Sequence, residues 1–218
     1  MADARARGYP GPMHYEDPAI VVDKFEVGTF ENNCYVIRDA RSDAAIVVDA
    51  PFEADTIACH CEGLAVGEIV LTHGHFDHVS CLEEARKRLG VGSACHADDA
   101  EMMPVGPERT IADGETVRVG RLELRAIHTP GHTPGGLCLV YDPTADAGTP
   151  ILFSGDTLFP GGPGNTKLAS GDFPAIIESI RDRLFTLDDD TIVMPGHGFD
   201  TTIGTERPHL QEWIDRGW

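Results

Sequence analysis

Basic residues are scarce in this chain: 17 Lys and Arg stand against 36 Asp and Glu, a formal net charge of −19. Affinity for nucleic acid rests on cations that neutralise phosphates, so this field repels polyanions and excludes nucleic acid as the expected partner. Long apolar runs are also missing. No stretch approaches the roughly eighteen consecutive apolar residues of a membrane-spanning helix. The opening MADARARGYPGPMHYEDP contains no apolar core of a secretion signal. The expectation is a cytoplasmic protein with no membrane partner. The six cysteines lack the C-x-x-C pairs of a structural zinc knuckle, and the tightest cluster, Cys59-His60-Cys61, leaves one residue between its thiols. Scattered reduced thiols packing as small apolar residues are expected instead.

A low-complexity linker is absent as well, and 218 residues suffice for one sizeable core. Residues 1–18 are polar and proline-bearing and read as an irregular N-terminal segment, with 19–218 as one α/β domain. VVDKFEVG, NCYVIRD and AAIVVDAP read as three strands, followed by a helix over about Glu53 to Gly63 and a short strand, EIVLT. SCLEEARKRLG carries apolar residues at helical spacing and stops at Gly90. After SACHA and a short helix around DDAEMM come the strands ETVRVG, LELRAIHTP, GLCLVYD and PILFSGDTLF. DFPAIIESIRDRLFTL is an amphipathic helix with Asp172 as its N-cap; TIVMPG is a last strand and RPHLQEWIDRGW a terminal helix.

What is abundant is histidine next to aspartate. LTHGHFDHVS, residues 71–80, holds His73, His75, Asp77 and His78 in six positions, directly after a strand. In extended backbone His73 and His75 share a face, while Asp77 and His78 open the next helix. Four donors from one loop cannot all reach one tetrahedral ion without contortion, so the split suggests two neighbouring ions. Three further candidates each follow a glycine at the end of an apolar strand: His132 in TPGHTPGG, Asp156 in FSGDTLF and His197 in MPGHG. Five His and two Asp make a sulfur-free set suited to zinc, iron or manganese.

These motifs carry a resemblance. THGHFDH resembles the HxHxDH signature of the metallo-β-lactamase superfamily, and TPGHTPGG, FSGDTLF and MPGHG resemble its later motifs in the same order, over roughly residues 20 to 205. The resemblance implies a four-layer αβ/βα sandwich with metals at one edge. It implies that His73, His75 and His132 hold one ion, that Asp77, His78 and His197 hold a second, and that Asp156 bridges them. It also implies that Asp49, in VVDAP, orients ligands from behind. His128, four residues before His132, is expected to pack or hydrogen-bond nearby rather than ligate.

Two zinc ions per chain are expected, with iron or manganese sharing the same donors. Such a pair lowers the pKa of a bridging water, so a hydroxide would attack a carbonyl, and no Ser or Cys nucleophile is required. A thiolate leaves without a strong general acid, which favours thioesters and activated esters of a small-molecule substrate over amides. Asp77 and Asp156 are the expected catalytic residues. Asp156 argues against true β-lactamases, and GDTLFPGGPGNTKLASGDF is most similar to glyoxalase II and its small relatives. Two departures are visible: the chain ends soon after His197, where full-length glyoxalase II continues into a helical glutathione-binding domain, and Asn165 stands where relatives carry Arg. Lys167 is the candidate to replace that charge. The alternatives are an Fe(II) persulfide dioxygenase, with iron on His73, His132 and Asp156, and a phosphodiesterase of the same fold.

Overall fold

A computed structural model describes residues 13–143 and 148–217. The first half builds a seven-stranded sheet in sequence order: β1 (Met13–Glu16), β2 (Ile20–Val27), β3 (Asn32–Asp39), β4 (Ala44–Val48), β5 (Ala65–Val70), β6 (Gly92–Cys95) and β7 (Arg109–Thr110). Its first four strands are antiparallel, and β4 to β7 run parallel. Helices α1 (Ala54–His60), α2 (Phe76–Val79) and α3 (Leu82–Leu89) lie between those parallel strands in the chain.

The second half forms a six-stranded sheet from β8 (Thr116–Val119), β9 (Leu122–His128), β10 (Leu137–Tyr141), β11 (Ile151–Gly155), β14 (Ile192–Pro195) and β15 (Thr201–Thr202). A hairpin of β12 (Leu158–Phe159) and β13 (Gly162–Pro163) stands apart. Helices α4 (Phe173–Ser179), α5 (Ile203–Glu206) and α6 (Leu210–Arg216) complete this half.

The central strands are apolar on both faces because both faces are covered. In β3, Tyr35 and Ile37 join the core between the sheets, while Cys34 and Val36 pack outward with Ile57 of α1 and Leu82 of α3. The second sheet mirrors this. Leu137, Leu139 and Phe153 face the centre, while Cys138, Val140 and Leu152 meet Ile176, Leu184 and Trp213. Side chains alternate with period two along a strand, so two buried faces read as continuous hydrophobic runs. Each large side chain withdrawn from water, Phe153 among them, contributes about 1.5–3 kcal/mol. The layer order is helix, sheet, sheet, helix, the expected four-layer sandwich.

Several local expectations change. Residues 13–16, read as irregular, pair antiparallel with β2 from Met13↔Lys24 to Glu16↔Val21; the alternation in MHYE spans only four residues of an edge strand, too short to announce it. The rest of that segment, residues 1–12, lies outside the described residues. PILFSGDTLF is two strands, broken after Gly155, whose φ of 48° leaves the extended region. The turn around DDAEMM is a 3-10 helix, Ala97–Met102. Asp172 caps α4 by accepting from the Ala175 N–H at 3.0 Å, but α4 continues as a π-helix from Ile180 to Leu184. Among the described residues no helix is long and apolar enough to cross a membrane, and all six thiols are free.

Candidate metal centre

The strands β5, β9, β11 and β14 end at one edge of the sandwich, and the loops that follow carry the donors. There the two sheets are pinned to each other. Tyr35 Oη and Asn33 Nδ2 both donate to the Pro195 carbonyl at 2.6 and 2.8 Å, and Leu137 N–H donates to Thr72 O at 2.8 Å. Glycine lets these loops close up. A Cβ on Gly196 would stand 2.2 Å from Asp156 Oδ1, and one on Gly155 would stand 2.7 Å from Thr72 Cβ.

All seven candidates meet. The donor atoms of His73, His75 and His132 lie within 4.8 Å of one another, as do those of Asp77, His78 and His197. His75 Nδ1 is 2.8 Å from His132 Nε2, and His78 Nε2 is 3.1 Å from His197 Nε2. Asp156 lies between the groups: Oδ2 is 3.4 Å from His132 Nε2 and 3.6 Å from His197 Nε2, and Oδ1 is 3.4 Å from His78 Nε2. Two of these inward atoms, His73 Nε2 and Asp156 Oδ1, are buried with no hydrogen-bond partner among the described residues. An unsatisfied buried polar atom costs about 1–3 kcal/mol, and a cation between the atoms would remove that penalty. The donor set and these two orphaned atoms fit a metal pair.

The outer ring nitrogens are engaged, which fixes each imidazole's orientation. His78 Nδ1 is 2.8 Å from Asp49 Oδ2, His132 Nδ1 donates to the Asn165 carbonyl at 2.8 Å, and His197 Nδ1 to the Phe30 carbonyl at 2.8 Å. His75 Nε2 meets Ser170 Oγ at 3.0 Å, and His73 Nδ1 meets Thr72 Oγ1 at 3.1 Å. Asp77 Oδ2 accepts from Asn32 Nδ2 at 3.1 Å. Asp49 is 1% exposed, has a φ of 64°, and also accepts from the Thr72 N–H and hydroxyl at 2.8 Å each. The backbone strain at Asp49 is therefore held by three contacts to the donor loop and to a donor ring.

Burial pushes the Asp156 carboxyl up, but the imidazoles of His78, His197, His73 and His132 outweigh it and hold it well below the usual carboxylate range. His73 goes the other way: burial and the neighbouring His78 pull it well below the ordinary imidazole value. His197 would be lowered by burial, yet the Asp156 and Asp77 carboxylates push it up to about 10.

Lys167 stays exposed, and its loop reaches the donors through Asn165 and Ser170. His128 behaves as expected, with Nε2 2.9 Å from the Pro134 carbonyl and its ring stacked on His96 at 3.8 Å. Sequence reading missed Asn32, Ser170 and Asp99. Asp99 is fully buried and joins two donor loops. Its Oδ2 accepts from Gly74 N–H at 2.9 Å and Thr133 Oγ1 at 2.7 Å, and its Oδ1 from Gly135 N–H at 2.6 Å. The polar pair Asn32-Asn33 at the head of an apolar strand was a readable signal. Asp99 and Ser170 had none.

A family model described as the metallo-beta-lactamase superfamily matches residues 27–197. The chain is 32% identical over 208 residues to the hydroxyacylglutathione hydrolase GloC of Haemophilus influenzae, covering 85% of this chain and 94% of that one. It is 34% identical over 171 residues to the hydroxyacylglutathione hydrolase of Rhodospirillum rubrum, covering 78% and 63%. Among solved structures it is similar to the B3 metallo-beta-lactamase BLEG-1, with a TM-score of 0.78, 27% identity and coverages of 87% and 97%. ETHE1 from Myxococcus xanthus gives 0.75, 26%, and 87% and 82%. TTHA1623 in a di-iron-bound form gives 0.72, 29%, and 84% and 96%.

Proposed function

The chain belongs to the metallo-beta-lactamase superfamily, and from that premise we propose that it is a metal-dependent hydrolase of small-molecule thioesters or esters. In this reading His73, His75 and His132 hold one divalent ion, Asp77, His78 and His197 hold a second, and Asp156 serves both. When bound, such ions acidify a water between them and polarise a substrate carbonyl. Zinc is the proposed metal, with iron the principal competitor in view of the di-iron neighbour.

The chain's own groups do the rest. Asp156 sets the spacing of the two triads and, held far below the ordinary carboxylate range, stays ionised throughout the working pH. Asp77, likewise held down by His197, His78 and Asn32 against its burial, turns Oδ2 toward His197 and would orient the attacking hydroxide as well as hold the second ion. Asp49, Ser170 and the carbonyls of Phe30 and Asn165 keep the imidazoles aimed inward. A thiolate leaving group needs no acid from the protein, whereas an amine does.

The observation that carries the proposal is the position of Asp156 between two donor triads. Protein purified without chelators, analysed for metal and offered thioester, lactone, persulfide and phosphodiester substrates, tests it. The expected result is about two metals per chain, as in two-metal hydrolases, with thioester turnover. Oxygen uptake with glutathione persulfide by iron-loaded protein would establish the second reading, a dioxygenase with iron on His73, His132 and Asp156; the structural likeness to ETHE1 favours that alternative.

A further inference from the structure

Among the described residues five large apolar side chains are exposed: Phe30 at 59%, Phe76 at 70%, Leu168 at 49%, Phe199 at 58% and Ile214 at 38%. Ile214 lies on α6. The other four lie on the segments that carry the metal donors or steady them. Phe76 stands between His75 and Asp77, and Phe199 is two residues beyond His197. The carbonyl of Phe30 accepts from His197 Nδ1, and Leu168 lies between Asn165 and Ser170, which contact His132 and His75. Two of them, Phe30 and Phe76, are connected through a third ring. The half-buried Phe52 ring lies 6.0 Å from that of Phe76 and 6.2 Å from that of Phe30, and Phe159 lies 6.3 Å from the His197 ring.

Single exposed apolar residues are ordinary, but a connected set beside polar groups marks a binding surface. The occupant follows from the position of Phe76. Phe76 is 70% exposed and one residue from each of two donors, His75 and Asp77, so a molecule that reacts at the donors comes within reach of its ring, whereas a large partner seated there would close the approach to the donors. The flanking charges narrow the chemistry. Glu31 follows Phe30 and Glu53 follows Phe52, so acidic residues flank the aromatic set, while Asp200 beyond Phe199 is taken up by Lys24 Nζ at 2.6 Å.

We infer that the part of the substrate lying beyond the reacting carbonyl is an uncharged apolar group, an alkyl or aryl acyl chain, received by the ring cluster of Phe30, Phe52 and Phe76. This inference rests on the hydrolase reading for the carbonyl and goes beyond it in naming the acyl class. A methylene taken wholly out of water is worth about fourfold in affinity, and a cluster open to solvent on one side returns about twofold.

The test uses the full chain loaded with zinc. Thioesters of one neutral small thiol, from acetyl to octanoyl, are assayed for kcat/KM. In parallel, binding of the matching free carboxylates, acetate to octanoate, is measured by calorimetry, which needs no turnover. The expected result is a rise of about twofold per methylene in both series, with a shallower slope in Phe76→Ser and Phe30→Ser. Flat slopes in the unsubstituted protein overturn the ring cluster's role. Rising carboxylate affinity without turnover of any thioester leaves that role standing and overturns the hydrolase reading. Unchanged slopes in both variants, with a loss of dimer in sedimentation, would assign this face to a second copy of the chain and overturn the inference.

Discussion

Replacing Asp99 with Asn removes one charge from a fully buried position while leaving shape and volume almost intact. The carboxylate receives three hydrogen bonds, two on Oδ2 from Gly74 and Thr133 and one on Oδ1 from Gly135. An amide can keep its carbonyl where Oδ2 was, which places its NH2 against the Gly135 N–H, donor facing donor. That orphaned donor costs about 1–3 kcal/mol, and the two surviving bonds fall from charge-assisted to neutral strength, so the total is about 2–4 kcal/mol. The loss has a direction as well as a size. Gly74 separates His73 from His75, and Thr133 follows His132, so the damage falls on one triad. Affinity at the first ion should drop about 10–100-fold, the usual effect of removing a support behind a ligand, while the Asp77–His78–His197 site changes less. Urea unfolding of the metal-free variant and competition with a chromophoric chelator measure the two effects. A stability loss below about 0.5 kcal/mol, the range of an inert surface change, or equal weakening of both ions would refute the reasoning.

Four further outcomes are expected. Asp77→Ala should abolish thioester turnover while the metal-free protein melts within a few degrees of the parent; full activity would remove Asp77 from the mechanism. Metal uptake should release protons near neutral pH, because His197, pushed up to about 10, carries a proton there that a bound ion displaces. Affinity therefore rises with pH, which calorimetry in buffers of different ionisation enthalpy would detect. Asp39 is buried, which raises its pKa, but N–H bonds from Arg41 and Arg121 and the Ser42 hydroxyl outweigh this and hold it below the usual range. Its contribution is present above the unfolded value near pH 4 and lost as the pH falls through the lower folded value, so Asp39→Asn should be about 1–3 kcal/mol less stable at pH 6, a deficit that shrinks as the pH falls through that lower value. Gly196→Ala should lose metal binding, since its methyl would stand 2.2 Å from Asp156 Oδ1; unchanged metal content would show that the loop yields easily.

The donors were legible in the sequence because their chemistry is local. Four lie within six residues, and each of the other three follows a glycine at a strand end. The apolar runs of β3, β4, β10 and β11 likewise announced buried strands. What supports the donors was not legible, because it is made by residues distant in the chain. Asn32 reaches Asp77 across 45 positions, Ser170 reaches His75 across 95, and the Phe30 carbonyl reaches His197 across 167. Nothing in Phe30 as a residue type foretells the use of its backbone oxygen. Nor does periodicity report strand order. β1 joins the sheet through one neighbour, with an alternation only four residues long.

The pins between the sheets, from Tyr35 and Asn33 to Pro195 and from Leu137 to Thr72, have a consequence for assembly. Each half of the sandwich brings part of the coordination set, four groups from one and three from the other. Neither fragment alone could saturate a cation, so captured ions would act as rivets across the seam. Chelation should accordingly speed amide exchange first along that join, at residues 33–35 and 195–197, before the outer helices loosen.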